Sequence, residues 1–254
     1  MQNFDKSQIK ANFNRANQSY DYSAFLQKIV AKNLILLAKK DITLANKILD
    51  LGCGTGFIFE QINQKNKTIF QLDIAYKMLQ KNSALNNKIN GDIDFLPFRK
   101  NSFDLALSSL SLQWINNLSD SVFQTLDTLK NGGNFYFSLV ADGSLAELKK
   151  TCQDCDVPLS INDFITEKNL TTILKKQNFD YQIKSEEIVL KYDNLYHLLK
   201  SLKLIGANYS NKKQYIGKKQ FVKIADFYFN NFYSNNNVFA TWQVFYVAIK
   251  IHKK

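Results

Sequence analysis

The sequence predicts an α/β fold: a doubly wound, seven-stranded, mostly parallel sheet with helices on both faces. Three observations lead there. From Lys47 onward, short β-rich runs alternate with helical patterns, a glycine-rich turn follows the first run and opens a helix, and acids close successive runs. A helical segment precedes the sheet, and a second helical insertion comes before the last strand.

Taken in order, residues 4 to 40 read as two helices, the second carrying Phe25, Ile29, Val30, Leu34, Leu37 and Ala38 at helical spacing. The runs KILDLG, TIFQLD, FDLALSS and NFYFSLV read as strands, with a further short strand before Gly91. Helices are expected after Gly56, through Met78 and through Leu129. Beyond Gly143 come helices at 144 to about 151 and 167 to 177, a strand at 181 to 191, helical stretches at about 193 to 206 and 219 to 232, and a last strand at 239 to 249. The asparagine-rich stretch 230 to 237 reads as a loop. The expected division is an N-terminal helical lid over residues 1–40 and a main domain over 41–254.

With 254 residues and 45% hydrophobic composition, the chain fills a sizeable core, which excludes intrinsic disorder. Its longest purely apolar run, 34 to 38, is far short of the roughly 20 residues that span a bilayer, and the first residues lack a secretory apolar core. A soluble, cytoplasmic protein with no membrane association is expected. Three cysteines make no disulfide framework, which agrees with a reducing compartment. Cys152-x-x-Cys155 lacks a second pair or a spaced histidine, so no metal is expected. The net charge is +11, but 31 of the 33 basic residues are lysine, dispersed among acids and asparagines. That pattern suits a solvated basic surface or an acidic protein partner better than nucleic acid.

Asp50-Leu51-Gly52-Cys53-Gly54-Thr55-Gly56 carries the chemistry. Glycines there let the backbone turn tightly and approach a ligand, and the helix start presents unpaired N–H groups. The spacing is G-x-G-x-G, not the dinucleotide G-x-G-x-x-G, and no Lys-Ser/Thr follows as in a phosphate loop. Asp50, just ahead of the loop, suits a ligand with an ammonium group. Asp73, 23 residues later, is placed for ribose hydroxyls and Asp92 for an adenine amino group, with Ile74 and Ile93 beside them. Cys53 reads as a small residue fitted to the loop, since no histidine base lies near it in sequence. Ser108, Ser111, Gln113 and Trp114 follow the fourth strand, at the edge where ligands bind in open α/β sheets.

This constellation resembles the S-adenosylmethionine (SAM) site of class I methyltransferases, which have a Rossmann-like sheet. The likeness goes further: FNRA with Tyr20-Asp21, LDLGCGTG, LDIAYKML, GDIDFLPF, FDLALSSLSLQWINNLS, GSLAEL, SLKLIGA and the terminal ATWQVFYVAIK resemble, in order, the malonyl-acyl-carrier-protein O-methyltransferases of biotin synthesis. The resemblance covers nearly the whole chain. It implies SAM as cofactor, methyl transfer to the free carboxylate of malonyl-acyl carrier protein or malonyl-CoA to give the ester that primes pimeloyl synthesis, and an acidic carrier protein as partner.

An ionised carboxylate needs placement against the methyl group, not a general base. His197 and His252, the only histidines, offer little for acid–base chemistry. Tyr20 and Arg15, on the expected lid, are the candidate acceptor contacts. Lys200 stands just before SLKLIGA, where the family often carries arginine, and a lysine lacks arginine's planar fork. Residues 193–236 would cap the acceptor, with Tyr196, Leu199, Phe221, Phe227 and Tyr228 lining a tunnel or forming core. Lys200, Lys203, Lys212 and Lys213 are candidates for a basic rim. The competing readings are a methyltransferase of a small aromatic or quinone acceptor, a methyltransferase-like assembly factor for respiratory complexes, and a nucleic-acid methyltransferase.

Overall fold

Short apolar runs pair in parallel at the centre of the molecule. The computed structural model describes residues 4–62, 65–158, 161–176, 179–207 and 215–252. Strand β1 (Lys47–Leu51) lies between β2 (Thr68–Asp73) and β4 (Phe103–Ser109), with β3 (Lys88–Asn90) beyond β2 and β5 (Leu129–Val140) beyond β4. These five are parallel. The long β8 (Asn237–Lys250) runs antiparallel between β5 and β6 (Asp180–Tyr192), which completes the order β3-β2-β1-β4-β5-β8-β6. An eighth, two-residue strand, β7 (Tyr233–Ser234), pairs only with β8.

Alternation along the strands sends side chains to both faces, so the sheet has two cores. Ile48, Leu105 and Leu107 belong to one, with the apolar stripes of α3 (Phe25–Leu44), α7 (Ala146–Asp154), α9 (Leu195–Leu204) and α10 (Lys218–Phe232). Leu49, Leu51, Ala106, Phe135 and Phe137 belong to the other, covered by α6 (Leu118–Thr128) and α8 (Glu167–Leu174). This is the doubly wound, mostly parallel α/β sheet expected.

The N-terminal region holds three helices where two are predicted: α1 (Lys6–Ala16), α2 (Tyr20–Ser23) and α3. Asp5 caps α1, accepting from the backbone N–H groups of Ser7 and Gln8. The helices after the glycine loop and through Met78, α4 (Phe57–Gln61) and α5 (Tyr76–Lys81), are short. The helix predicted through Leu129 ends at Thr128, because β5 begins at Leu129 with an irregular register against β4. Of the stretch 230–237 expected as a loop, only Asn235 and Asn236 form a turn, in the left-handed conformation that asparagine tolerates; α10 runs on to Phe232, and β7 and β8 flank the turn as a hairpin. Tyr228, Leu199, Phe221 and Phe227 pack into the core with α9 and α10, whereas Tyr196 is exposed. No helix among the described residues is long and apolar enough to cross a membrane.

Within the GSLAEL segment, Glu147 is buried and clamps β8. Its carboxylate accepts the Thr241 backbone N–H at 3.0 Å and the Thr241 hydroxyl. Substituting Glu147→Ala strands that amide and leaves a void. Urea unfolding is expected to show a loss of about 2–3 kcal/mol.

Candidate active site

Parallel, in-register pairing brings the ends of three strands to one edge. Leu51 is opposite Leu72, and Asp73 is opposite Asn90, so the turns after β1, β2 and β3 are neighbours. The chain reverses direction across the sheet between β1 and β4, the crevice where ligands bind in such folds. A cavity opens there, lined by Gly52 and Gly54, Asp73 and Ile74, Gly91, Asp92 and Ile93 from the strand ends, and by Leu110, Ser111, Trp114 and Ile115 after β4. Lys6, Ile9 and Phe13 of α1, Tyr20 of α2 and Met78 of α5 complete it.

The glycine loop is held open from behind. The N–H groups of Gly52 and Cys53 both donate to the Leu72 carbonyl, at 2.7 and 3.1 Å. Gly52 has φ +68°, and a Cβ there would lie 2.2 Å from the Ser111 hydroxyl, which itself donates to the Gly52 carbonyl. Gly54, at φ +54°, faces nothing within 4 Å. At Gly56, φ +101° and the Asn82 side chain 2.9 Å from a would-be Cβ exclude any other residue, although Gly56 does not line the cavity.

Two carboxyls share this corner. Asp73 receives the Gly54 N–H on Oδ2 at 2.8 Å and the Ala75 N–H on Oδ1 at 2.7 Å. Burial pushes its pKa up to about 6, against the opposing pull of those two bonds. Asp50 is 1% exposed, and neither carboxylate oxygen has a partner among the described residues. Burial, and then the charge of Asp73, push its pKa up to about 8. It lies behind the loop and does not line the cavity.

Other expected positions divide. Tyr20 lines the cavity and stacks on Phe57, centroids 5.8 Å apart; burial, then Asp73 and Asp21, hold its phenol well above the usual tyrosine range. The Thr55 hydroxyl donates to Asp21 at 2.7 Å, which ties α2 to the glycine loop. Asp92 lines the cavity but is met by Lys6 Nζ at 2.9 Å. Ser108 is fully buried and donates to the Leu51 carbonyl, joining β4 to β1 outside the cavity. Gln113 donates to the Leu110 carbonyl and also lies outside it. Arg15 is exposed and bonds Asn12, and Lys200 is exposed with its Nζ 5.8 Å from the Tyr196 ring centroid; neither lines the cavity. Lys212 and Lys213 lie outside the described residues.

Cys53 is buried and its thiol is pushed up by burial and by Asp73 and Asp50, an environment that disfavours the reactive thiolate. Cys152 and Cys155 are buried too, burial raising Cys152 to about 11, and no group of three metal-ligating side chains occurs among the described residues. His197 and His252 pair with Asp193 and Asp180, and neither lines the cavity. Sequence reasoning missed Lys6, Ile9, Phe13 and Met78, because their place in the cavity depends on how α1 and α5 dock.

Residues 49–137 match a family described as a methyltransferase domain. Over 223 residues the chain is 32% identical to the malonyl-[acyl-carrier protein] O-methyltransferase of Buchnera aphidicola subsp. Baizongia pistaciae, covering 85% of this chain and 88% of that one. The chain belongs to the malonyl-acyl-carrier-protein O-methyltransferase family. It is also 32% identical to the biotin biosynthesis bifunctional protein BioHC of Saccharophagus degradans, over 83% of this chain but only 40% of that longer protein. The fold matches a SAM-dependent methyltransferase from Archaeoglobus fulgidus, with a TM-score of 0.54 at 14% identity, over 89% of this chain and 94% of that one.

Two segments that carry the likeness to malonyl-acyl-carrier-protein O-methyltransferases meet in space. Gly206 of SLKLIGA has φ +74°, and a Cβ there would sit 3.1 Å from the Asn12 carbonyl oxygen and from Phe13 Cα in FNRA. The Ser19 hydroxyl donates to the Leu204 carbonyl at 2.8 Å. The N-terminal helices are thereby docked beside α9 and over the cavity.

The raised carboxyl pKa values make stability depend on pH. A folded-state pKa above the unfolded value of about 3.8 means that the folded chain keeps a proton the unfolded chain has shed. Ligand-free stability is therefore highest near pH 4 and falls as pH rises, through about 6 for Asp73 and about 8 for Asp50. Urea titrations are expected to show a downward slope approaching about 1.4 kcal/mol per pH unit between pH 6 and 8. Substituting Asp50→Asn should flatten that upper stretch.

Proposed function

We propose that this protein transfers the methyl group of SAM to the free carboxylate of malonyl-acyl carrier protein, forming the methyl ester that enters pimeloyl synthesis in the biotin pathway. The carrying observation is Tyr20: a hydroxyl whose proton is held by burial and neighbouring acids lines the same cavity as the glycine loop and Asp73, with no histidine there. Such a hydroxyl donates a hydrogen bond and does not act as a base. It suits an acceptor that arrives already ionised.

The residues fit SAM. Asp50 is a buried carboxyl with two orphaned oxygens, which an ammonium group nearby would satisfy. The open left-handed face of Gly54 admits close approach of a ligand to the backbone. Each Asp73 oxygen, already holding one backbone N–H, has a lone pair left for a ribose hydroxyl. The apolar walls at Ile74, Met78 and Ile93 suit a purine. When bound, SAM supplies an electrophilic methyl on a sulfonium. The chain's part is to hold the acceptor in line and to exclude water, and the N-terminal helices over the cavity serve as the lid that does so.

Arg15 on α1 and Lys200 on α9, both exposed, are proposed to meet the acceptor or its carrier at the entrance, not inside the cavity. An acidic carrier protein is the proposed partner. In support, α9 exposes Tyr196, Lys200 and Lys203 along one stripe and contains no acid.

Incubating the protein with methyl-labelled SAM and, separately, malonyl-acyl carrier protein, malonyl-CoA, acetyl-acyl carrier protein and tRNA tests the reaction. One base-labile methyl on the malonyl species alone is expected; methylation of the acetyl carrier or tRNA, or binding of SAM without transfer, would sink the reading. Within the site, Asp73→Ala is expected to weaken SAM binding roughly 10–100-fold by calorimetry. Tyr20→Phe is expected to cut turnover by a similar roughly 10–100-fold with SAM affinity nearly intact.

A further inference from the structure

Lys6 reaches from the first turn of α1 into the cavity and bridges two carboxylates. Its Nζ lies 2.9 Å from Asp92 Oδ1 and 2.8 Å from Asp94 Oδ2, all three side chains being largely shielded from solvent. Asp94 is the fixed member. Its carboxylate accepts the Ser121 hydroxyl of α6 at 2.9 Å and the Asn116 N–H at 3.2 Å. Asp92 Oδ1 also takes the Asp94 N–H at 3.1 Å, and Asp92 Oδ2 has no partner among the described residues.

We propose that Lys6 is a positioning residue for the cofactor, coupling closure of α1 to the presentation of Asp92 in the SAM pocket; the inference rests on the SAM reading above. The coupling is electrostatic. Two carboxylates a lysine's width apart in a shielded site repel one another, and Lys6 cancels that repulsion only while α1 lies over the cavity. The same contact fixes the Asp92 carboxylate through one oxygen and leaves the other as acceptor for an amino group. Closure is secured around it: Phe4 and Phe13 pack on Trp114 with centroids 6.1 and 5.8 Å away, and Asn14 Oδ1 accepts the Lys77 N–H of α5 at 2.9 Å. Lys6, Ile9 and Phe13 place α1 on the cavity wall, so these contacts and a bound ligand share one surface. By linkage, a ligand that prefers the closed arrangement stabilises the Lys6 bridge as much as the bridge strengthens its binding.

Binding of S-adenosylhomocysteine, measured by calorimetry on the full chain, tests this with acrylamide quenching of tryptophan as a second readout. Trp242 is buried in the sheet, so a change in quenching reports on Trp114 under α1. Lys6→Gln is expected to weaken binding about 5–10-fold and to raise quenching in the bound state. Lys6→Arg, which restores a cation able to bridge both acids, should recover affinity to within about twofold. Native-like affinity and quenching in Lys6→Gln would overturn the proposal. So would equal losses in both variants with lowered melting temperatures, the mark of a merely structural lysine. Failure of the native chain to bind S-adenosylhomocysteine would instead remove the cofactor reading on which the proposal stands.

Discussion

The parallel pairing of β1 with β2 on one side and β4 on the other decides where everything else can go. It aligns Leu51 with Leu72 and sends the chain to opposite ends of the sheet from adjacent strands, which leaves a crevice between the turns that follow. Into that crevice project a backbone with no side chains at Gly52 and Gly54 and the carboxylate of Asp73. The strands are apolar on both faces and covered on both, so slipping the register by one residue would move every core side chain and separate the loop from its acids.

The site buries two carboxyls. Asp50 and Asp73 are held within the same corner, and among the described residues they receive two backbone N–H groups, both on Asp73. No cation is paired with either among the described residues. A pocket built this way is poised for a ligand that brings positive charge and hydrogen-bond donors, because binding then relieves a strain that folding alone leaves in place.

The helical layers serve different ends. On one face α7, α9 and α10 join the core, and the Glu147 clamp on β8 sets the last strand in place. The N-terminal helices α1 and α2 instead spend their contacts on the cavity: Lys6 on Asp92 and Asp94, Phe13 on Trp114, Asp21 on Thr55. Beside them stand only small apolar clusters, Phe4 and Ile9 with Phe13 and Trp114, and Ala16 with Ala75 and Met78, separate from the two main cores. That is the character of an element that docks and releases.

Local pattern was enough to read the sheet, the glycine loop and the spacing of Asp50, Asp73 and Asp92, because strand period, turn chemistry and acid placement are written in neighbouring residues. Tertiary structure alone decided which side chains meet. Ser108 and Gln113 sit at the right strand end but turn into backbone contacts, Arg15 and Lys200 stay outside, and Lys6 arrives from 86 positions away to bridge Asp92. The physical reason is that a helix's docking angle is set by packing against distant elements, here α5 and the α9 terminus, and no local periodicity encodes it.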